Sequence, residues 1–257
     1  MPMPDYSPEP YWSEVAANID EREGDNVIAG DDEPYYVYKR ERFLRMLREL
    51  PVADREVLEI GPGPGGNLRE LWRARPARLA GADISARMIE VARRRLDPAV
   101  ELVKTDGTTL PFGDRAFDLV FSVTVLQHNS DDAMMRALLG EMARVSRAEV
   151  TLFEQVDYRI SGDELMRARP IAYYASIMRE YGYVLAEARM LDIVASYYAS
   201  GAIRRGLNPA TRKEGEPLTP ISLAAQRLVL PVTKVLDRLL PLQKDMARMR
   251  FVRQHAA

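Results

Sequence analysis

Four glycines stand within six residues in Gly61-Pro62-Gly63-Pro64-Gly65-Gly66, between the apolar run Val57-Leu58-Glu59-Ile60 and Asn67, where helical spacing begins. A strand that ends in such a turn and opens into a helix lets the backbone approach a ligand closely and bend sharply at the strand's carboxyl end. A ligand-free connection is the competing reading, but four glycines exceed what a turn needs. Gly61, Gly63 and Gly66 satisfy G-x-G-x-x-G, a pattern that says little alone. Asp83 ends the run Arg78 to Asp83, 22 residues after Gly61. A carboxylate there can accept both hydroxyls of a ribose, although Asp83-Ile84-Ser85 also reads as ordinary helix capping. Asp83 therefore supports an adenosine ligand without choosing between cofactor classes.

The choice comes from flanking residues. Glu59 precedes the glycines by two positions, and Asp106-Gly107 follows a third strand, with Leu110-Pro111-Phe112 and Phe117-Asp118-Leu119-Val120 beyond. In this order the segment resembles the class I S-adenosylmethionine-dependent methyltransferases, especially the branch that includes quinone-biosynthesis and other small-molecule methyltransferases. The resemblance covers roughly residues 55–156. It implies that Glu59, Gly61, Gly63 and Gly65 surround the methionine part of S-adenosyl-L-methionine. Asp83 then holds the ribose, Ile84 and Met88 lie beside the adenine, and Asp106 lies near its amino group with Gly107 and Thr108 in the same loop. Ser122 and Val123 stand where the fourth strand opens toward the cofactor. Asp-Gly is also a common turn pair, which is the plainer account of Asp106. Two features depart from the pattern: prolines 62 and 64 restrict the loop, and Arg144 to Glu149 lacks the Pro-Gly-Gly turn that usually precedes the fifth strand.

A sulfonium methyl is already activated, so the protein has mainly to hold the nucleophile in line and exclude water. Where the acceptor needs a general base, His128 in Leu126-Gln127-His128-Asn129 is the candidate catalytic residue. Its alternative is a histidine bonded to backbone at a helix start. His255, in the tail, is assigned no role. Tyr35, Tyr36 and Tyr38 could form a lid and Arg40 could reach the cofactor's carboxylate; packing on the helix that follows is the rival account. Glu154, near the end of the fifth strand, faces an acceptor pocket or sits beside the sheet edge. No metal is called for. The expected partner is a small-molecule acceptor, partly apolar or anionic, with no nucleic acid and no stable membrane insertion. Two rival classes are a NAD-dependent oxidoreductase and a non-catalytic lipid-associated protein using residues 192–246 as an interfacial helix pair. The first needs a second nucleotide-binding half and a hydride-site acid, and neither is found.

The elements that must position these residues follow from pattern. The chain has 257 residues, 47% apolar and 29% charged, with no cysteine, which excludes disulfides, thiolate metal sites and cysteine nucleophiles. An acidic, proline-rich start and no apolar run of ~18 residues predict a soluble cytoplasmic protein. Net charge is −2, yet residues 1–60 carry 15 acidic and 7 basic side chains, while 202–253 carry 4 acidic and 11 basic. The basic end reads as a solvated face partly paired with the acidic one, or as a surface for an anionic substrate or membrane. Residues 1–34 read as an irregular arm, followed by a helix from Lys39 to Leu50. Strands are expected at Val57–Ile60, Arg78–Asp83, Val100–Thr105, Phe117–Val123, Val150–Val156 and Tyr183–Leu191. Helices fall between them at Asn67–Arg75, Ala86–Leu96 capped by Ser85, Asp131–Val145 capped by Ser130, and Ile171–Tyr181. Such alternation predicts an α/β, doubly wound, mostly parallel seven-stranded sheet, Rossmann-like, with a helical insert before the last strand. The expected divisions are 1–50, an N-terminal arm and lid helix; 51–191, the cofactor-binding α/β domain; 192–246, a helical insert interrupted by Pro231 and Pro241 and covering the acceptor site; and 247–257, a last strand from Met249 to Gln254 and tail. The methyltransferase resemblance implies a parallel sixth and an antiparallel seventh strand, and these put the insert, with Arg204, Arg205, Arg212 and Lys213, at the carboxyl edge of the sheet. The alternative is an adjacent hairpin near 183–199.

Overall fold

The computed structural model describes residues 7–20, 33–129, 131–209, 218–240 and 245–254. Helices α1 (Pro8–Asp20) and α2 (Pro34–Arg48) precede β1 (Glu56–Ile60), α3 (Gly66–Trp72), β2 (Arg78–Asp83), α4 (Ala86–Arg95), β3 (Glu101–Lys104) and β4 (Phe117–Val123). A short 3-10 turn at Leu126–His128 leads to α5 (Asp132–Val145) and β5 (Ser146–Val156). The chain continues through a two-stranded ribbon, β6 (Ser161–Gly162) and β7 (Arg167–Ala168), then α6 (Ile171–Glu180), β8 (Tyr183–Met190), α7 (Val194–Leu207), α8 (Pro220–Leu239) and β9 (Asp245–Arg253).

Seven strands form one sheet in the order β3-β2-β1-β4-β5-β9-β8. Pairings from β3 through β5 are parallel, and β9 runs antiparallel to both β5 and β8, so β8 runs with the rest. This is the doubly wound, mostly parallel sheet expected. Successive residues serve opposite faces: Leu58, Val120 and Leu152 are buried with α5 and α6, while Val57, Leu119 and Phe153 are buried with Met46 and Leu47 of α2 and Leu68 of α3. Burial on both faces explains the near-continuous apolar strands.

Several expectations are corrected. Residues 8–20 are helical rather than irregular: Pro8 and Pro10 fall in the first turn, where missing N–H groups lose no helical bond. Ala16 of α1 is buried against Met88 and Val91, with Trp12 and Val15 beside them. The second helix starts at Pro34, not Lys39, so the three tyrosines are on it. Asp131 caps α5, its carboxylate accepting from Ala133 N at 2.8 Å; Ser130, the expected cap, lies outside the described residues. Without a Pro-Gly-Gly turn, α5 passes directly into β5, which begins at Ser146 instead of Val150. The ribbon β6–β7 was not anticipated. Helix α8 continues through Pro231, whose ring lies on the exposed side. The last strand begins at Asp245 rather than Met249, so the boundary drawn at 246/247 falls inside a strand. Residues 194–207 are helical, which removes the adjacent hairpin.

Helices α7 and α8 leave the sheet after β8 and return at Asp245, opposite Val156, the last residue of β5. They therefore stand at the carboxyl edge. They meet α2 there: Leu230 packs against the apolar cluster to which Tyr35 and Leu47 belong, Lys234 Nζ lies 4.5 Å from the Tyr38 ring centre, and Arg204 pairs with Glu33 at 3.0 Å. Arg212, Lys213 and Pro241 lie outside the described residues.

Candidate functional site

The glycine turn takes the shape its composition requires. Gly61, Gly63 and Gly65 have φ of +66°, +53° and +88°, a region that side chains with a Cβ occupy only under strain. A Cβ on Gly61 would stand 2.5 Å from Val125 Cγ2, so this glycine also lets the turn after β4 close against the loop.

Glu59 and Asp83 lie on neighbouring strands at this turn. The Glu59 side chain is fully buried: Asn67 Nδ2 donates to its Oε1 at 2.7 Å, and its Oε2 has no hydrogen-bond partner. Burial pushes its pKa up to about 8, opposed by the Asn67 bond and reinforced by the Asp83 charge. A carboxylate oxygen buried without a donor is expensive unless a cation arrives to meet it. Asp83 is buried and accepts from Gly63 N at 3.0 Å through Oδ2 and from Ser85 N at 2.8 Å through Oδ1. Burial raises its pKa, and bonds from Ser85, Gly63 and Ile84 backbone oppose that. Each oxygen keeps capacity for another donor, as two hydroxyls would require.

The next wall comes from β2 and β3. Gly107, at φ +88°, lies where a Cβ would be 2.9 Å from Ile84 Cδ1, which brings two of the expected residues together. Met88 opens the buried face of α4 and is covered by α1. Exposed Asp106 turns its Oδ1 onto its own loop, accepting from Thr108 N at 2.8 Å, Thr108 Oγ1 at 3.0 Å and Thr109 N at 2.7 Å, and these bonds lower its pKa to about 2. It thus behaves as a turn aspartate in this structure.

Glu154 differs from both expectations. It belongs to an interior strand, is fully buried, and caps the turn after β4. Its Oε1 accepts from Ser122 Oγ at 3.0 Å, Val125 N at 3.2 Å and Leu126 N at 3.1 Å, and its Oε2 from Gln127 N at 3.1 Å. Burial raises its pKa to about 7 against those four bonds. Ser122 is correspondingly committed to Glu154, while Val123 is half-buried beside it.

His128 sits on the turn so held. Its Nδ1 is 2.6 Å from Leu165 O, which fixes the proton on Nδ1 and leaves the Nε2 lone pair to the Gln127 amide at 3.2 Å. Burial lowers its pKa, and the Leu165 bond opposes that shift. The ring is therefore neutral at pH 7. The fully buried Arg169 locks the same turn from β7's end, donating to Leu126 O at 3.0 Å and Asn129 O at 2.7 Å.

The tyrosines face the insert. Tyr35 is buried with a hydroxyl that has no hydrogen-bond partner, its ring 5.2 Å from Tyr36 and 6.0 Å from Tyr197 of α7; Tyr38 is buried and Tyr36 lies under Arg204. Burial, with Asp245, Tyr36, Tyr197 and Asp237 adding, raises the Tyr35 pKa. Arg40 is exposed. Two contributors were missed. Helix α1 crosses the carboxyl ends of β2, β3 and β4 through Ser13 to Ser85 (3.0 Å), Glu9 to Lys104 (2.9 Å) and Trp12 against the His128 ring (5.1 Å); the Trp12, Val15, Ala16 spacing was its signal. Arg169 had none, because an arginine in a polar loop does not announce what it will be buried against.

Residues 57–149 match a family model described as a methyltransferase domain. The chain is 36% identical over 111 residues to malonyl-[acyl-carrier protein] O-methyltransferase of Legionella pneumophila, covering 41% of this chain and 38% of that protein. It is 44% identical over 72 residues to demethylmenaquinone methyltransferase of Clavibacter sepedonicus, covering 27% and 29%. The matches thus span about a third of those relatives' own lengths. Among solved structures, magnesium protoporphyrin IX methyltransferase from Synechocystis PCC 6803 with bound SAM has the same fold, with a TM-score of 0.59 at 14% identity over 96% of this chain and 95% of that one.

Proposed function

We propose that this chain, which carries a class I methyltransferase domain, transfers a methyl group from S-adenosyl-L-methionine to a small-molecule acceptor. The observation that carries the reading is the buried, unpartnered Oε2 of Glu59, two residues before the positive-φ glycines and beside Asp83. That geometry suits a ligand bearing both an ammonium and a ribose. When bound, the cofactor supplies a methyl group on sulfonium, already activated toward nucleophiles.

The chain's residues do the rest. Glu59 meets the ammonium with its free oxygen, and Gly61, Gly63 and Gly65 let backbone amides approach the methionine part. Asp83 accepts the ribose hydroxyls while keeping Gly63 and Ser85. Ile84, Met88, Gly107 and Thr108 form the adenine's surroundings, with Asp106 at the exposed side near its amino group. Ser122 and Val123 lie under the reacting end, and Glu154 acts through the turn it caps. When the acceptor is a hydroxyl or an acidic carbon, it displaces the Gln127 amide from His128 Nε2 and gives its proton there, and the ring's neutral state at pH 7 suits that task.

The acceptor's place in this reading lies between α2 and the α7–α8 pair, at the carboxyl edge. In support, the Tyr35 hydroxyl and both amide atoms of buried Gln226 have no hydrogen-bond partners, so polar groups there are left for an acceptor to meet. Arg40 and Arg204 stand toward the rim. Titration calorimetry with S-adenosylmethionine and with NADH tests the proposal. Saturable binding of the first alone is expected, with the affinity weakened but still measurable in Glu59→Gln. Binding of NADH alone would instead assign an oxidoreductase.

A further inference from the structure

Helix α8 buries a row of polar residues and exposes a row of apolar ones. Ser222, Gln226, Thr233 and Asp237 face inward, and Asp237, 2% exposed, accepts from Ser196 N at 3.1 Å and Ser196 Oγ at 2.5 Å on α7. Outward stand Ile221 (70% exposed), Leu228 (80%), Val232 (62%) and Leu239 (68%), with Val235 among them. Their spacing by three and four residues places them on one helical face. A continuous apolar stripe of this kind in water marks a surface that something else covers.

The charges select what covers it. Arg227 and Arg238, both exposed and eleven residues apart, lie along one flank of the stripe, while Lys234 between them turns onto the Tyr38 ring of α2. The sole acid on α8, Asp237, is turned onto Ser196, so the outward side carries cations and no carboxylate. A second copy of the helix would set these cations against their equals with nothing to pair them. An anionic bilayer meets both features: apolar side chains enter the headgroup boundary, and the arginine stems reach up to the phosphates. Among the described residues no helix is long and apolar enough to cross a membrane, and the inward polar row makes α8 suited to lying in the surface plane.

We propose that α8 docks the protein reversibly on an anionic lipid bilayer. Because α7 and α8 stand at the carboxyl edge, docking turns that edge toward the lipid; if the methyl-transfer reading holds, an apolar acceptor is then taken from the bilayer.

Flotation of the full chain with phosphatidylcholine vesicles, and with vesicles containing phosphatidylglycerol, tests this without any cofactor. Binding to the anionic vesicles alone, weakened by added salt, is expected. Leu228→Glu with Val235→Glu, both at exposed positions, should reduce partitioning at least ~10-fold, and Arg227→Gln with Arg238→Gln should reduce it too. Circular dichroism and calorimetric affinity for S-adenosylmethionine should match the parent chain in both variants. Three results overturn the proposal: no flotation with anionic vesicles, undiminished flotation of the glutamate variant, or a sedimentation-velocity dimer that the same substitutions disperse. A wild-type chain that floats yet binds no S-adenosylmethionine would sink the methyltransferase reading and leave the docking intact.

Discussion

Glu59 makes folding stability depend on pH in a direction that can be calculated. Burial raises its pKa from 4.5 to about 8 in the folded chain, so the folded state holds the proton more tightly than the unfolded one. Below 4.5 both states are protonated and nothing is lost. Between 4.5 and 8 the unfolded chain ionises freely while the folded chain does not, so stability falls by about 5 kcal/mol in total; above that window the penalty is constant. Glu59→Gln is neutral at every pH, keeps an oxygen for Asn67, and mimics the protonated form. Urea unfolding of both proteins from about pH 5 to 8 isolates this one group, because other titrations cancel in the difference. The variant should match the parent near pH 5 and exceed it by several kcal/mol near pH 8. A difference that stays constant across the range would refute the buried, unpaired carboxylate. A bound ammonium supplies the missing charge, so S-adenosylmethionine should take up the burden: its affinity should tighten as pH rises from about 6 to 7 in the parent and stay flat in the variant.

Asp83→Ala should weaken cofactor binding by about 2–4 kcal/mol through two lost charge-assisted hydrogen bonds, read by calorimetry; unchanged affinity removes Asp83 from the site. His128→Ala should lower turnover by roughly 10²–10⁴ with cofactor affinity unchanged. Since burial sets the His128 pKa below 6.5, the parent's rate should fall only as pH drops below that value, when the ring protonates, and that limb should vanish in the variant. Activity within a few-fold of the parent leaves the ring a positioning role. Arg169→Met should lower stability by about 2–4 kcal/mol, because it strands the carbonyls of Leu126 and Asn129; a midpoint in urea equal to the parent's would show that the buried guanidinium is not what holds the turn.

The sequence by itself determined whatever depends on neighbours along the chain. Strands β2 and β4 fall where their apolar runs put them, at Arg78–Asp83 and Phe117–Val123, because a strand buried on both faces must be apolar throughout. The positive φ at Gly61, Gly63 and Gly65 was legible because only glycine takes it without strain. The parallel course of β8 and the antiparallel return of β9 followed from the methyltransferase resemblance, and their place at the carboxyl edge from the geometry of open α/β sheets. What tertiary structure decided was the partner across space. Glu59 and Glu154 are both carboxylates near strand ends, yet one finds a single donor and keeps a bare oxygen, while the other receives three backbone amides and a hydroxyl from the end of β4 and the turn after it, 27–32 residues away in the chain. Arg169 and the tyrosines of α2 were equally silent, since their surroundings are assembled from α7, α8 and the turn after β4. A side chain's burial, and hence its charge state and its chemistry, depends on which distant segment closes over it, and no local spacing encodes that.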